Sequence, residues 1–305
     1  MQIGESYPDI LVTGANGFIG RRLVEELLAR GKRVRCAVRS LSALPQMAEQ
    51  VKVDLLDESS LPDAFKGIKT AYYLVHSMAA GHRGFAERDR KAAMNFVRAA
   101  EDAGVERVIY LGGLGETGEG LSEHLQSRLE VASILQSGRF ETTFLRAAVI
   151  IGAGGASYEM IRALVERLPL MITPRWVDTR CQPIAVRDVI DYLAGCLDEP
   201  RTAGRTFDIG GPEIISYREM MTRFAKLEGK LLIVLPVPVL TPRLSSYWVG
   251  LVTPVKPAIA IALIEGLKNE VICREDEIRE LIPIELTGYD KAVEIALAER
   301  DRVYN

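Results

Sequence analysis

The chain has 305 residues, of which 48% are hydrophobic and 26% are charged, and its formal net charge is −3. This length is enough for a doubly wound sheet and a smaller second lobe. The charge shows no basic surplus of the kind that nucleic acid requires. Four scattered cysteines without a C-x-x-C pair argue against a metal site and a disulfide framework, and they favour a cytoplasmic location.

Strands and helices are predicted to alternate over residues 1–151, the order that is typical of a parallel sheet. The predicted strands are 10–13, 33–38, 51–53, 71–75, 107–111 and 142–147. The predicted helices are 18–30, 85–103 and 121–136. We therefore expect an α/β fold with a doubly wound parallel sheet in a domain at 1–151. Residues 152–305 are expected to hold the remaining strands, interleaved with a smaller, mixed substrate lobe.

Two apolar stretches stand out in the second half of the chain, at 231–240 and 247–264. Prolines at 238, 254 and 257 and the charge of Lys256 oppose a membrane-spanning helix, so no transmembrane segment is predicted. The composition favours a buried lobe or the face of a homodimer. Contact with a membrane surface is the alternative.

A glycine-rich turn carries the strongest chemical signal, in the sequence ILVTGANGFIG at 10–20. Its three glycines lie between an apolar strand and an amphipathic helix, where a dinucleotide-binding motif belongs. They permit the tight turn, the approach of the pyrophosphate to the backbone, and close packing of helix on strand. This context predicts a Rossmann domain. The predicted cofactor contacts in the turn are Gly14, Asn16, Gly17, Phe18, Ile19 and Gly20.

The end of the second predicted strand bears on the choice of nicotinamide cofactor. An enzyme that uses NAD places an acidic residue there for the ribose hydroxyls, whereas this strand ends with Arg39 and Ser40. A guanidinium fork suits a ribose 2′-phosphate, and a hydroxyl can add a donor. We therefore expect NADP(H) to be preferred, with NAD(H) as the alternative cofactor.

The Gly-x-x-Gly-x-x-Gly spacing after Thr13 resembles the extended and atypical short-chain dehydrogenases/reductases. Phrases in the same order along nearly the whole chain resemble that family too, among them VDLLD at 53–57, YYLVHSM at 72–78 and FDIGGPEIISYREMM at 207–221. The resemblance implies further contacts with the cofactor. These are Asp54, Leu55, Val75, His76 and Ser77.

The same resemblance implies a Tyr-x-x-x-Lys pair on the helix after the fifth strand, and this chain has His124 and Arg128 at that offset. His124 could donate a proton near neutral pH, and Arg128 could hold the ribose or stabilise an oxyanion. The alternative is that both are surface residues. The family's Ser-Ser is replaced by Gly112-Gly113, and its helix Asn falls at Asp89.

These departures leave two hypotheses for an NmrA-like member of the family. The first is an NADP(H)-dependent oxidoreductase that reduces a carbonyl, enone or quinone-like small molecule, with an apolar substrate suggested by the second lobe. The second is a non-catalytic NADP(H)-sensing regulatory or assembly protein. Sugar epimerisation is disfavoured, because that chemistry depends on the tyrosine that the chain lacks.

Overall fold

The computed structural model of the chain describes residues 8–41, 44–75, 84–115, 123–237 and 269–304. Side chains are described in these ranges except at 123–125, 174–176, 236–237 and 301–304. The strands are β1 (Ile10–Thr13), β2 (Val34–Val38), β3 (Glu49–Lys52), β4 (Thr70–Tyr73), β5 (Arg107–Gly113), β6 (Glu141–Ala147), β7 (Ile150–Ile151), β8 (Leu170–Pro174), β9 (Arg180–Cys181), β10 (Ile184–Ala185), β11 (Thr206–Ile209), β12 (Ile215–Ser216) and β13 (Ile233–Val237). The helices are α1 (Phe18–Ala29), α2 (Pro62–Phe65), α3 (Phe85–Asp102), α4 (Glu123–Gln136), α5 (Ala156–Arg167), α6 (Val186–Asp198), α7 (Tyr217–Leu227), α8 (Glu277–Leu281) and α9 (Tyr289–Tyr304).

Seven of these strands form one sheet in the order β11-β6-β5-β4-β1-β2-β3, and every neighbouring pair in it is parallel. Chain order reverses between β1 and β4, which makes that crevice the topological switch point. Ligands of doubly wound sheets bind there, outside the carboxyl ends of the strands. The predicted α/β Rossmann fold is confirmed.

Helices cover both faces of the sheet, so its strands are buried on two sides. On one face, Leu23 and Leu27 of α1 and Leu193 of α6 pack in a core with Val12 of β1. On the other face, side chains of α3 and α4 pack against β1, β4 and β5, with Phe96 at the centre of that core. The two helical layers enclose the sheet, and the described cofactor contacts that follow β1, β2, β3 and β4 lie at its carboxyl edge.

The third strand starts two residues earlier than the sequence predicts, at Glu49 rather than residue 51. Its pairing begins where Glu49 meets Arg35 of β2, whose Nε lies 2.8 Å from the Glu49 Oε1. Arg35 is buried, and its guanidinium also donates to the carbonyl oxygens of Ala64 and Lys66 at the end of α2. A long-range ion pair therefore sets a boundary that the local pattern cannot reveal.

The smaller lobe is built from three two-stranded sheets, β7 with β10, β9 with β12, and β8 with β13. Ser216 begins α7 with a capping box, since its side chain accepts from the Glu219 N–H while the Glu219 carboxylate accepts from the Ser216 N–H. Among the described residues, no helix is long and apolar enough to cross a membrane.

Candidate cofactor and active site

The glycine-rich turn joins β1 to α1 with a backbone that side chains would block. Gly14 has a φ of +67°, and a Cβ on it would lie 2.8 Å from the Leu74 carbonyl oxygen. A Cβ on Gly20 would collide with the Gly14 carbonyl oxygen, and one on Gly17 would lie 3.1 Å from that same oxygen. The turn is thus held close both to β4 and to the first turn of α1, which explains why three glycines occur at this spacing.

Thr13 fastens the turn to the neighbouring strand. Its buried hydroxyl donates to the Tyr72 carbonyl oxygen at 2.9 Å and accepts from the Leu74 N–H at 3.3 Å. These two bonds join the carboxyl ends of β1 and β4, on either side of the switch point. The threonine that precedes the glycine motif therefore shapes the crevice that would hold the nucleotide.

The start of α1 is suited to a diphosphate. Gly17 is the N-cap residue and offers no side chain to cap the first N–H groups. Those groups and the positive end of the helix dipole favour a bound anion. Asn16 is exposed, whereas Phe18 and Ile19 are half-buried. The Phe18 ring packs on the loop after β7, since a Cβ on Gly155 would lie 2.8 Å from it.

Arg39 and Ser40 follow β2 at the same edge of the sheet, and both are exposed. No acidic residue ends this strand. Within the described ranges no hydrogen bond or ion pair engages the Arg39 guanidinium, so it is available to a ligand. The pairing of Thr13 with Ala37 places the end of β2 next to the glycine turn.

Hydrogen bonds hold the loop after β3 in a defined turn. The Asp54 carboxylate accepts from the Leu56 N–H at 3.0 Å, and the backbone N–H of Asp54 donates to the Ser60 hydroxyl. Leu55 is buried, and its carbonyl oxygen accepts from the buried Asn95 amide of α3 at 2.8 Å. Asn95 thus holds the turn at Leu55 in place. It was not among the predicted site residues, because a single asparagine in a helix carries no motif.

The remaining predicted cofactor contacts follow β4. Val75 is half-buried, and one of its methyl carbons would lie 3.4 Å from a Cβ on Gly14. The crevice is therefore narrow at this point. His76 and Ser77 lie outside the described residues, so their roles stay predictions.

The predicted catalytic pair lies on α4. The backbone of His124 is in the first turn of that helix, and the side chain lies outside the described residues. Arg128, one turn later, is half-buried. Burial raises the pKa of the Tyr73 hydroxyl, the nearby Tyr110 and Asp89 raise it further, and Arg128 opposes the rise. Arg128 on α4 and the buried Asp89 on α3 therefore act on Tyr73 electrostatically and in opposite directions.

The end of β5 differs from the family pattern for a packing reason. A Cβ on Gly112 would lie 2.6 Å from the Phe144 ring, which stacks on Tyr110 with a centroid separation of 4.9 Å. A serine hydroxyl does not fit at Gly112 unless Phe144 moves. No residue of the described chain supplies the family's hydroxyl at this position.

A buried ion pair lies beside Gly112, and no motif in the sequence predicts it. Arg146 is the β6 partner of Gly112, and its Nε lies 2.7 Å from the Asp208 Oδ1 of β11. The other carboxylate oxygen accepts from the Arg274 N–H at 2.9 Å. Asp208 is fully buried, while 24% of the Arg146 side chain is exposed. The hint in the sequence is a charged residue among apolar neighbours in each strand, Arg146 in β6 and Asp208 in β11.

Comparison with known proteins agrees with this geometry. A family model described as NAD(P)H-binding matches residues 14–165. UDP-glucose 4-epimerase from Vibrio cholerae is 23% identical over 267 residues, which cover 75% of this chain and 79% of that protein. The mitochondrial NADH dehydrogenase [ubiquinone] 1 alpha subcomplex subunit 9 from Arabidopsis thaliana is 24% identical over 221 residues, 68% of this chain and 55% of the relative.

Among solved structures, the triphenylmethane reductase of Citrobacter sp., complexed with NADP(H), superposes with a TM-score of 0.77. It is 22% identical, and the match covers 94% of this chain and 99% of that one. At this identity the likeness speaks for the fold. Together with the nucleotide crevice, the family match places the chain in the NAD(P)H-binding family, and its fold is that of the short-chain dehydrogenases/reductases.

Proposed function

We propose that the chain is an NADPH-dependent reductase of a carbonyl, enone or quinone-like small molecule of low polarity. The observation that carries the cofactor choice is Arg39, which is exposed beside the glycine turn where an NAD enzyme would have a carboxylate. A guanidinium can bind the two oxygens of a ribose 2′-phosphate, which NADPH has and NADH lacks. Solved structures of the same fold hold NADP(H) in one case and NAD in others, so the cofactor choice rests on Arg39.

Different residues of the carboxyl edge are proposed to bind different parts of the cofactor. The first turn of α1 and the backbone of Gly14 and Gly17 hold the diphosphate, and Arg39 with Ser40 holds the 2′-phosphate. We expect the Asp54–Leu55 turn to contact the adenine, and Val75, His76 and Ser77 to contact the nicotinamide end. This division rests on where the strand ends lie, since the sheet brings all of them to one edge.

Reduction needs a hydride, which the bound nicotinamide supplies, and a proton, which the protein must deliver. His124 is the proposed donor, because imidazole titrates near neutral pH and lies at the offset of the family's tyrosine. Arg128 keeps its charge at any working pH, so it can stabilise an oxyanion but cannot exchange a proton. Epimerisation is not proposed, since it depends on the missing tyrosine.

One observation favours a second candidate, a non-catalytic protein that senses NADP(H) and alters its contact with a partner. A hydroxyl at the family's usual place, Gly112, would require the Phe144 ring to move. With the tyrosine and lysine types also replaced, the chain keeps the binding half of the family pattern and loses the usual catalytic half. In this case cofactor binding would be tight and turnover absent.

Calorimetric titration with NADPH and NADH tests the cofactor assignment. We expect the wild type to prefer NADPH, and Arg39→Ala to lose about 10- to 100-fold in NADPH affinity, the effect of one charge-assisted phosphate contact. NADH affinity should be unchanged. Arg33→Ala is the matched control, because this exposed arginine precedes the opposite end of β2. Equal affinity for both nucleotides in the wild type and in Arg39→Ala would contradict the assignment.

Oxidation of NADPH with a panel of apolar aldehydes, enones and quinones then separates the two candidates. A reductase should turn over at least one class, and His124→Ala should lower kcat by about 100-fold or more without weakening NADPH binding. Tight binding of NADPH with no turnover of any class would support the sensor. Failure to bind either nucleotide would remove both candidates.

A further inference from the structure

The two-stranded sheet of β8 and β13 exposes large apolar side chains on one side. Leu170 pairs with Ile233 and Ile172 pairs with Leu235, so these four side chains form two adjacent cross-strand pairs. Their exposed fractions range from 46% to 57%, and Leu231, two residues before β13, is 78% exposed. We call this set, Leu170, Ile172, Leu231, Ile233 and Leu235, the apolar face.

The opposite side of the same strands is part of the lobe core. Met171 is 2% exposed, and Val234 and Leu232 pack against that cluster. In a sheet with one solvated side, alternation normally gives polar residues at the outward positions. Here both sets of positions are aliphatic. The composition of 231–240 therefore predicts a buried run, whereas the strand pairing buries only alternate residues.

The apolar face is small for a protein partner. A stable protein–protein interface takes about 800 Å² from each side and usually includes aromatic or arginine anchors. These five exposed aliphatic side chains supply much less area than that, and none is aromatic. A second copy of the chain would therefore gain little by docking on this face alone. Shallow insertion into a lipid surface needs only a few such side chains.

The sequence that follows β13 has the composition of an interfacial segment. From 238 to 264 the charged residues are Arg243 and Lys256, with no aspartate or glutamate, and Tyr247-Trp248 lies between them. Tyrosine and tryptophan favour the headgroup region, and basic residues are drawn to anionic lipids. Four prolines in this stretch oppose a continuous spanning helix. The chain thus leaves the apolar face directly into a cationic, apolar stretch.

We propose that the apolar face docks on the surface of a bilayer that contains anionic lipids. The aliphatic side chains of β8 and β13 enter the boundary between headgroups and acyl chains, and the strands lie along that boundary. The proposal goes beyond the proposed reductase activity and does not depend on it, because none of these residues belongs to the nucleotide crevice.

Flotation of the purified full-length chain with vesicles tests this. One vesicle type is phosphatidylcholine alone and the other is an equal mixture with phosphatidylglycerol. We expect binding to the anionic vesicles that weakens with added salt. The double variant Ile172→Glu/Leu235→Glu should lose about tenfold or more of this binding, since it places two carboxylates on the inserted face.

The matched control is Met94→Glu/Ile214→Glu, which adds the same charge at two apolar residues of similar exposure elsewhere, 48% and 49% exposed. It should bind vesicles like the wild type. Unchanged NADPH binding and circular dichroism show that each variant is folded, and Ile172→Ser/Leu235→Ser repeats the test without added charge. Absence of wild-type flotation, or equal loss in the control, would overturn the proposal. A dimer that the face variants dissociate, with no flotation, would overturn it in favour of a second copy.

Discussion

The two ends of the carboxyl edge follow the family pattern to different degrees. At β1, β2 and β4 the turn, the Thr13 hydroxyl and the close glycines together make a nucleotide crevice. At β5 and β6 a glycine packed on Phe144 occupies the place of the usual hydroxyl. The first end is defined mainly by backbone geometry, and the second by side-chain identity. Nucleotide binding can therefore be kept while the chemistry changes or is lost.

The largest effect that tests this comparison is expected at Gly20. Gly20→Val should abolish NADPH binding, because the side chain would force α1 away from the Gly14 carbonyl oxygen and displace the phosphate site. Calorimetry should show a loss of at least about 100-fold. Gly31→Ala is the control, since it also strains a glycine, with φ at +74°, but meets no atom within 4 Å. Retained binding in Gly20→Val would show that the turn does not hold the phosphates.

An intermediate effect is expected at the other end, in Gly112→Ser. Restoring the family's hydroxyl should cost about 2 kcal/mol of unfolding free energy, the usual cost of overpacking, because the Cβ meets the Phe144 ring. Urea unfolding measures the cost, and NADPH affinity should be nearly unchanged. The double variant Gly112→Ser/Phe144→Leu should recover part of the loss. A stable Gly112→Ser variant with raised turnover would break the comparison, since it would show that this end tolerates the family's chemistry.

The smallest effect is expected within the first end, in Thr13→Val, because the Thr13 hydroxyl joins β1 to β4. Loss of the hydroxyl removes the bonds to Tyr72 and Leu74 and should lower stability by about 1 kcal/mol. NADPH affinity should fall several-fold as the crevice loosens. Thr142→Val removes a comparable buried hydroxyl bond, to the Leu135 carbonyl oxygen, away from the crevice. It should lower stability alike and leave affinity intact. Equal affinities of the two variants would mean that the Thr13 hydroxyl only supports the fold.

The sequence predicts most of the fold, because apolar strands, helix-ending glycines and a phosphate-binding turn are local signals. The same local signals predict where the nucleotide crevice lies. The start of β3 escapes prediction, since it depends on Arg35 meeting Glu49 from another strand. The tight packing of Phe144 on Gly112 and the Arg146–Asp208 pair escape it for the same reason. Each joins residues that are distant in the chain, and no local pattern records such contacts.

The exposure of Arg39 and Ser40 has a consequence for how such a chain changes over evolutionary time. The crevice is fixed by buried backbone contacts, whereas these two residues are exposed. On the proposed assignment of Arg39 to the 2′-phosphate, a substitution there would shift the preference between NADPH and NADH with little cost to folding. The choice of nicotinamide cofactor, and with it the link to anabolic or catabolic redox metabolism, can therefore change while the fold stays the same. Selection or design can change that choice at these two surface positions.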